Sequence, residues 1–232
     1  MADPSLALVV GANRGIGLAV VTEMLRRGWS VIATARRPGD AKDLNALATA
    51  NPGRLEIRGL EMTNPEQLDA LARAMAGRKL DAVLVNAGIA GPRHASASQA
   101  TEAEIGALMY TNAVAPVRLA RSLAGSVREK TGVLAFTSSN MGSVALNTGG
   151  HELYRASKAA LNSLSRGLWS EVRGRGITLL TLHPGWVRTD MGGSSAPVRV
   201  EDSARGLVTM IERERGKHQH AFIDFKGEEV AW

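Results

Sequence analysis

Short apolar runs alternate with longer amphipathic stretches along this chain. Residues 5–10 (SLALVV), 30–35 (SVIATA), 54–60 (RLEIRGL), 80–85 (LDAVLV), 132–137, 177–182 and 221–225 (AFIDF) read as seven strands. Most are nearly continuous apolar runs, the pattern of strands buried on both faces. Between them, 18–27, 40–50, 65–75, 100–125, 152–169 and 200–213 carry apolar residues at helical spacing. Asn64 is placed to cap the third of these helices, with Pro65 at its first position. The stretch 100–125 contains Pro116 and reads as one long or two abutting helices, with Asn112 inside. Strand and helix alternate four times before residue 86, which predicts an α/β fold: a single domain, 1–232, with a doubly wound parallel sheet of about seven strands flanked by helices. Ligands of such sheets bind at the carboxyl ends of the strands, where Gly11, Arg36, Glu61 and Asn86 fall.

Composition narrows the function. The 232 residues hold no cysteine, which excludes disulfides and thiol chemistry and fits the cytoplasm. No apolar run is long enough to span a membrane, and the first strand is too short for a signal peptide. Lys and Arg number 28 against 22 Asp and Glu, but the basic residues are scattered and aromatics make up 4 %. A nucleic-acid surface would need a basic block with interleaved aromatics.

The first strand runs into Gly11-Ala12-Asn13-Arg14-Gly15-Ile16-Gly17 and then a helix, the context of a dinucleotide-binding turn. Gly11 permits a sharp turn. Gly15 and Gly17 omit Cβ atoms, so that phosphate can reach the backbone N–H groups at the helix start. An acidic residue at the end of the second strand would bind a ribose 2′-hydroxyl; here stand Ala35 and Arg36, with Arg14 in the glycine turn. Two guanidinium groups suit a 2′-phosphate and favour NADP(H) over NAD(H). Farther on, Tyr154 and Lys158 lie four apart on one helix face. A cation within ~4–6 Å lowers a phenol from its ordinary value near ~10, making tyrosine a usable acid or base for an alcohol or carbonyl oxygen.

Other chemistries find less support. Ser138-Ser139 lacks a nucleophile-elbow pattern for hydrolysis. His218-x-His220 lacks a third metal ligand nearby and reads as a solvated strand edge, and His151 reads as a loop histidine. Met62, Met75 and Met109 read as core.

Together, Gly11–Gly17, Asn86-Ala87-Gly88, Asn112, Ser138-Ser139, Tyr154-x-x-x-Lys158 and Pro184-Gly185 resemble the short-chain dehydrogenase/reductase family over nearly the whole chain. Residues 141–150, Tyr154-Arg155-Ala156-Ser157-Lys158, 183–193 and the ending 227–232 resemble its small C-factor-like carbonyl reductases. The resemblance implies Tyr154 as general acid or base, and Lys158 as the residue that lowers its pKa and binds the nicotinamide ribose. It implies Ser139 as a hydrogen-bond donor to the substrate oxygen, with Ser138 as the fallback, and Asn112 as the holder of a relay water. Gly11, Asn13, Arg14, Gly15, Ile16, Gly17, Arg36, Asn86, Ala87 and Gly88 would bind the cofactor, together with Pro184, Gly185, Val187 and Thr189. Glu61, followed by Met62, stands where the family carries an aspartate toward the adenine. Trp186 would floor the substrate site beside Ser139 and Tyr154. The implied partners are a small carbonyl or alcohol and a second copy of the chain, in a dimer or tetramer; a signalling role with little turnover is the alternative. About ten residues between Met191 and the last helix imply a short lid and an open cleft.

Overall fold

The computed structural model describes residues 4–94 and 96–232. Strands β1 (Leu6–Val10), β2 (Ser30–Ala35), β3 (Leu55–Gly59), β4 (Ala82–Val85), β5 (Val133–Thr137), β6 (Thr178–His183) and β7 (His220–Asp224) form one sheet in the order β3-β2-β1-β4-β5-β6-β7. Every neighbouring pair is parallel. The order reverses between β1 and β4, and the crevice beyond the strand ends opens there.

Helices cover both faces, so both faces of the central strands are apolar. On one side α1 (Gly15–Arg26), α2 (Lys42–Ala50) and α7 (Val200–Glu214) bury Val20, Met24, Leu44, Leu207 and Ile211 against Ala7, Val9 and Leu180. On the other, α3 (Pro65–Met75), α5 (Ala115–Leu123) and α6 (Glu152–Val172) bury Leu71, Met75, Leu119, Leu161 and Leu168 against Leu8, Val83 and Phe136. Asn64 caps α3 as expected, its side chain accepting from the Gln67 N–H at 3.1 Å. No helix among the described residues is long and apolar enough to cross a membrane.

Two local readings change. The irregularity in 100–125 precedes Pro116: α4 (Glu102–Met109) passes into a π turn, Tyr110–Val114, which carries Asn112, and Pro116 sits harmlessly in the first turn of α5. Such a turn inserts a residue into the ladder and re-aims side chains, and is frequent at functional positions. His220 does not lie on a solvated edge. The chain turns back after β7, with Ile223 bridged antiparallel to Glu229 and the Val230 N–H donating to the Phe222 carbonyl at 2.9 Å. His220 is thereby enclosed, its Nε2 3.1 Å from the Thr181 hydroxyl and its ring edge-on to Trp232.

Burial pushes both His183 and His220 from 6.5 down to about 4; the Arg166 charge adds to the effect at His220, and Asp224 opposes it at His183. The unfolded chain takes up these protons as pH falls through about 6.5, whereas the folded chain resists until about 4. Stability should therefore be full above pH ~6.5 and decline progressively toward pH ~4. Melting temperatures across that range should show the fall, and His220→Gln should make it shallower; an identical slope in the variant would remove His220 as a cause.

Candidate active site

The glycine turn is shaped by close approaches. Gly11 has φ +80°, and a Cβ there would lie 2.8 Å from Ala87 Cβ, so the β1 and β4 ends abut. Gly17 serves packing rather than phosphate approach, because a Cβ on it would meet the Gly11 carbonyl oxygen at 2.1 Å. Gly15 (φ +56°) alone faces open space, its nearest neighbour being the Thr189 side chain at 3.5 Å from an added Cβ. Arg14, at the N-cap of α1, makes no capping hydrogen bond, and the first turn carries no acidic residue. That helix start, flanked by Asn13 and Ile16, suits a diphosphate: free N–H groups, positive helix end, no competing carboxylate.

Charge at the other end of this cleft is solvent-exposed. Arg14 forms an ion pair with Asp190, joining the glycine turn to the loop after β6. Arg36 has no ion-pair partner among the described residues and lines a cleft of about 450 Å³ with Arg58, Gly59 and Gln67. Arg58 is a cation that the sequence reading missed. Its register with Thr34 on the face of Ile32 is the signal that could have found it. The Glu61 carboxylate is engaged by the Thr63 N–H and hydroxyl, and Met62, 4 % exposed, packs in the core.

The deep end is organised around Lys158, 4 % exposed. Its ammonium donates to the Thr137 carbonyl at 2.9 Å and lies 5.8 Å from the Tyr154 ring centre. A Cβ on Gly88 would sit 3.2 Å from Asn112 Oδ1 and 3.6 Å from Lys158 Nζ, so the β4 end passes close to both polar side chains. Asn86 is a brace: its amide donates to the Gly11 carbonyl at 3.1 Å, and its Oδ1 accepts from the Thr137 hydroxyl at 3.0 Å. The Thr34 hydroxyl completes the line by accepting from the Gly11 N–H at 3.1 Å. Thr34 and Thr137 went unnoticed in the sequence because strand-end threonines look like ordinary β residues.

Asn112 makes three side-chain hydrogen bonds. Its Oδ1 accepts from the Ile89 N–H at 2.8 Å, and its amide donates to the Ile89 carbonyl at 2.8 Å and the Ser157 hydroxyl at 3.0 Å. Ser157 donates to the Tyr154 carbonyl at 2.8 Å, so the π turn is tied to the first turn of α6.

The two serines separate cleanly. Ser138 donates to Asn162 at 2.6 Å inside the core, while the Asn162 amide holds the Gly142 carbonyl at 3.1 Å. Ser139 Oγ accepts from the Met141 N–H at 3.1 Å and has only a 3.4 Å contact to Asn140 for its own proton. Beyond β6, Pro184 and Val187 are buried; Gly185 (φ +86°) packs against Phe225, and Val187 is bridged to Val198. Trp186 is 56 % exposed, with its indole N–H on the Gly192 carbonyl at 2.8 Å.

Burial alone pushes the Tyr154 phenol up to about 12 and the Lys158 amine down to about 8. The ammonium donates to Thr137 rather than to the phenol, so burial sets the direction of the Tyr154 shift in this arrangement.

The family model for short chain dehydrogenase matches residues 5–199. The chain belongs to the short-chain dehydrogenase family. It is 36 % identical over 167 residues to C-signal of Myxococcus xanthus, covering 70 % of this chain and 99 % of that protein. A short-chain dehydrogenase/reductase from Burkholderia multivorans with bound NADP superposes with a TM-score of 0.95 at 38 % identity, covering 99 % of this chain and 100 % of the other. A carbonyl reductase from Pseudomonas aeruginosa PAO1 in complex with NADP gives 0.92 at 42 % identity, over 99 % and 100 % of the two chains. The family is one of oxidoreductases, and the seven-stranded fold follows it throughout.

A buried amine held near 8 rather than 10.5 costs the folded protein on the order of 3 kcal/mol at neutral pH. Lys158→Met should therefore raise the melting temperature at pH 7 by roughly 5 °C or more. The gain should shrink as pH rises from about 8 to 10.5, where the folded amine is already neutral. A lower melting temperature would mean that the bond to Thr137 outweighs the burial penalty.

Proposed function

We propose that this short-chain dehydrogenase is an NADP(H)-dependent carbonyl reductase, acting in the cytoplasm on a ketone, aldehyde or quinone. The observation that carries the reading is the Tyr154–Lys158 pair, whose ammonium bonds Thr137 two residues before Ser139, in a fold whose first helix start is free of capping side chains. NADP-bound relatives with near-identical folds support the cofactor. The diphosphate fits the open face of Gly15 and the N–H groups of Ile16 and Gly17. Arg14, with Arg36 and Arg58, would meet the 2′-phosphate. Val187 and Thr189 would face the nicotinamide end from the loop after Pro184-Gly185, and Ala87 and Gly88 the ribose.

The cofactor supplies hydride to the carbonyl carbon; everything else falls to the chain. Ser139 donates a hydrogen bond to the oxygen as charge grows there. Ser138 is spent on Asn162, which favours Ser139 for that role. Tyr154 gives its proton to the same oxygen, and a carbonyl becomes an alcohol. A phenol pushed up to about 12 is fully protonated but a weaker acid, so the transfer depends on stabilising the phenolate it leaves. The Lys158 charge stabilises the phenolate left behind, in surroundings where little water competes. Asn112 positions Tyr154 through Ser157 and aligns the β4 end through Ile89. Exposed Val114 and Leu164 lie on the π turn and α6, the face on which we place a homo-oligomer contact.

A second reading, a nucleotide-binding signalling protein with little turnover, is favoured by the likeness to C-signal. The two diverge under one assay: consumption of NADPH with a panel of carbonyls, in the parent and in Tyr154→Phe. The reductase reading expects turnover in the parent and a loss of at least about 100-fold in the variant. Full turnover in Tyr154→Phe defeats it; NADPH binding with no turnover across the panel turns the conclusion to signalling.

Cofactor choice is tested separately by tryptophan quenching. Arg14→Ala/Arg36→Ala should weaken NADPH binding by roughly 10-fold or more and leave NADH nearly unchanged. Equal or tighter NADH binding in the parent would overturn the reading of the arginines.

A further inference from the structure

The fold-back after β7 ends on the catalytic side of the molecule. Residues 228–230 run antiparallel along the outer edge of β7, and Trp232 then packs its indole on three side chains. The His220 and Phe222 rings lie 4.8 and 5.3 Å away between centroids, and the Arg166 guanidinium stands 5.0 Å over the indole. Held there, the Trp232 carbonyl oxygen accepts from the Ala145 N–H at 3.2 Å and the Ser143 hydroxyl at 3.4 Å. Ser143 is buried, and its oxygen accepts in turn from the Leu146 N–H at 3.1 Å.

These contacts land on the segment 143–150, which joins the Ser139 turn to the start of α6 and Tyr154. Among the described residues, its other hydrogen bonds stay within residues 140–155. Trp232 is therefore its tie to the sheet. The segment needs one: Gly149, Gly150 and His151 all have positive φ, and Val144 and Leu146 stand 74 % and 49 % exposed. Apolar side chains held out to solvent on the segment that links Ser139 to Tyr154 can meet an apolar part of a substrate.

We propose that Trp232 is a positioning residue: it anchors segment 143–150 so that Val144 and Leu146 form the apolar wall that receives the substrate. The inference rests on the reductase reading only for its kinetic consequence. Freeing the segment lowers the fraction of molecules with the wall in place and raises the apparent substrate constant by the inverse of that fraction. Loss of two ordinary hydrogen bonds and an aromatic anchor sets the scale at roughly 5- to 30-fold.

The test compares the full-length protein with Trp232→Ala, Trp232→Phe and Ser143→Ala. Amide hydrogen exchange at Ala145 and Leu146 should accelerate in Trp232→Ala and Ser143→Ala and stay near the parent in Trp232→Phe, which keeps an aromatic anchor. With menadione as the carbonyl probe, KM should rise roughly 5- to 30-fold in Trp232→Ala, with kcat and NADPH affinity nearly unchanged. At Ala145, Trp232→Ala combined with Ser143→Ala should accelerate exchange little more than Trp232→Ala alone, because the Ser143 hydroxyl bonds the same Trp232 carbonyl. Unchanged exchange in Trp232→Ala overturns the proposal. So does a fall in kcat and NADPH affinity alongside KM, or equal damage from Trp232→Phe, since either describes general loosening. If the parent reduces no menadione or other carbonyl, that failure belongs to the reductase reading, and the exchange comparison still decides the anchoring.

Discussion

An ammonium group buried at the end of a parallel sheet is the constraint on which the rest of this structure depends. Lys158 is removed from water, its charge is disfavoured there, and its nearest compensation is one carbonyl, that of Thr137. Thr137 must therefore be held still. Its hydroxyl is fixed by Asn86, Asn86 is fixed on the Gly11 carbonyl, and the Gly11 N–H is fixed on Thr34. A single polar line thus runs from the deep cation through the ends of β5, β4 and β1 to β2. The glycines along it follow from the same demand. Gly11 and Gly17 each sit where a Cβ would push two strand ends or a helix apart.

That line explains why chemistry and cofactor selection occupy opposite ends of one crevice. At the deep end Tyr154 and Lys158 are withdrawn from water, and burial sets the proton affinity of both. At the shallow end Arg14, Arg36 and Arg58 lie at the surface, where a single ion pair is worth little. Selection there depends on several guanidinium groups converging on one phosphate. Arg14 is already shared with Asp190, so an incoming phosphate would compete with a carboxylate of the loop after β6.

Much of this was legible in the sequence, because the strongest signals are local. Strand–glycine–helix order, the apolar runs and the Tyr154–Lys158 spacing each depend on residues close in the chain, and they locate the sheet, the crevice and the deep pair. The relations that failed to show are those made by distant residues. The role of Gly17 is packing on Gly11, visible only once helix and turn are folded. The selection between Ser138 and Ser139 is made by Asn162, more than twenty residues away. The phenol's proton affinity depends on how deeply Tyr154 is buried, and spacing on a helix says nothing about that.

The misreading of His220 exposes the same limit at larger scale. A histidine pair on a last strand looks like a solvated edge, and it would be one if the sheet ended at β7. The following residues instead lie back along that edge and enclose it. Covering an edge removes a template for unwanted strand pairing, which is reason enough for a fold-back. Here the covering segment also carries Trp232 to the segment between Ser139 and Tyr154. Edge protection requires backbone alone, with no particular side chain. An indole wedged among His220, Phe222 and Arg166, with its carbonyl turned to Ser143 and Ala145, is more than edge protection demands, and that surplus makes the tail part of the site.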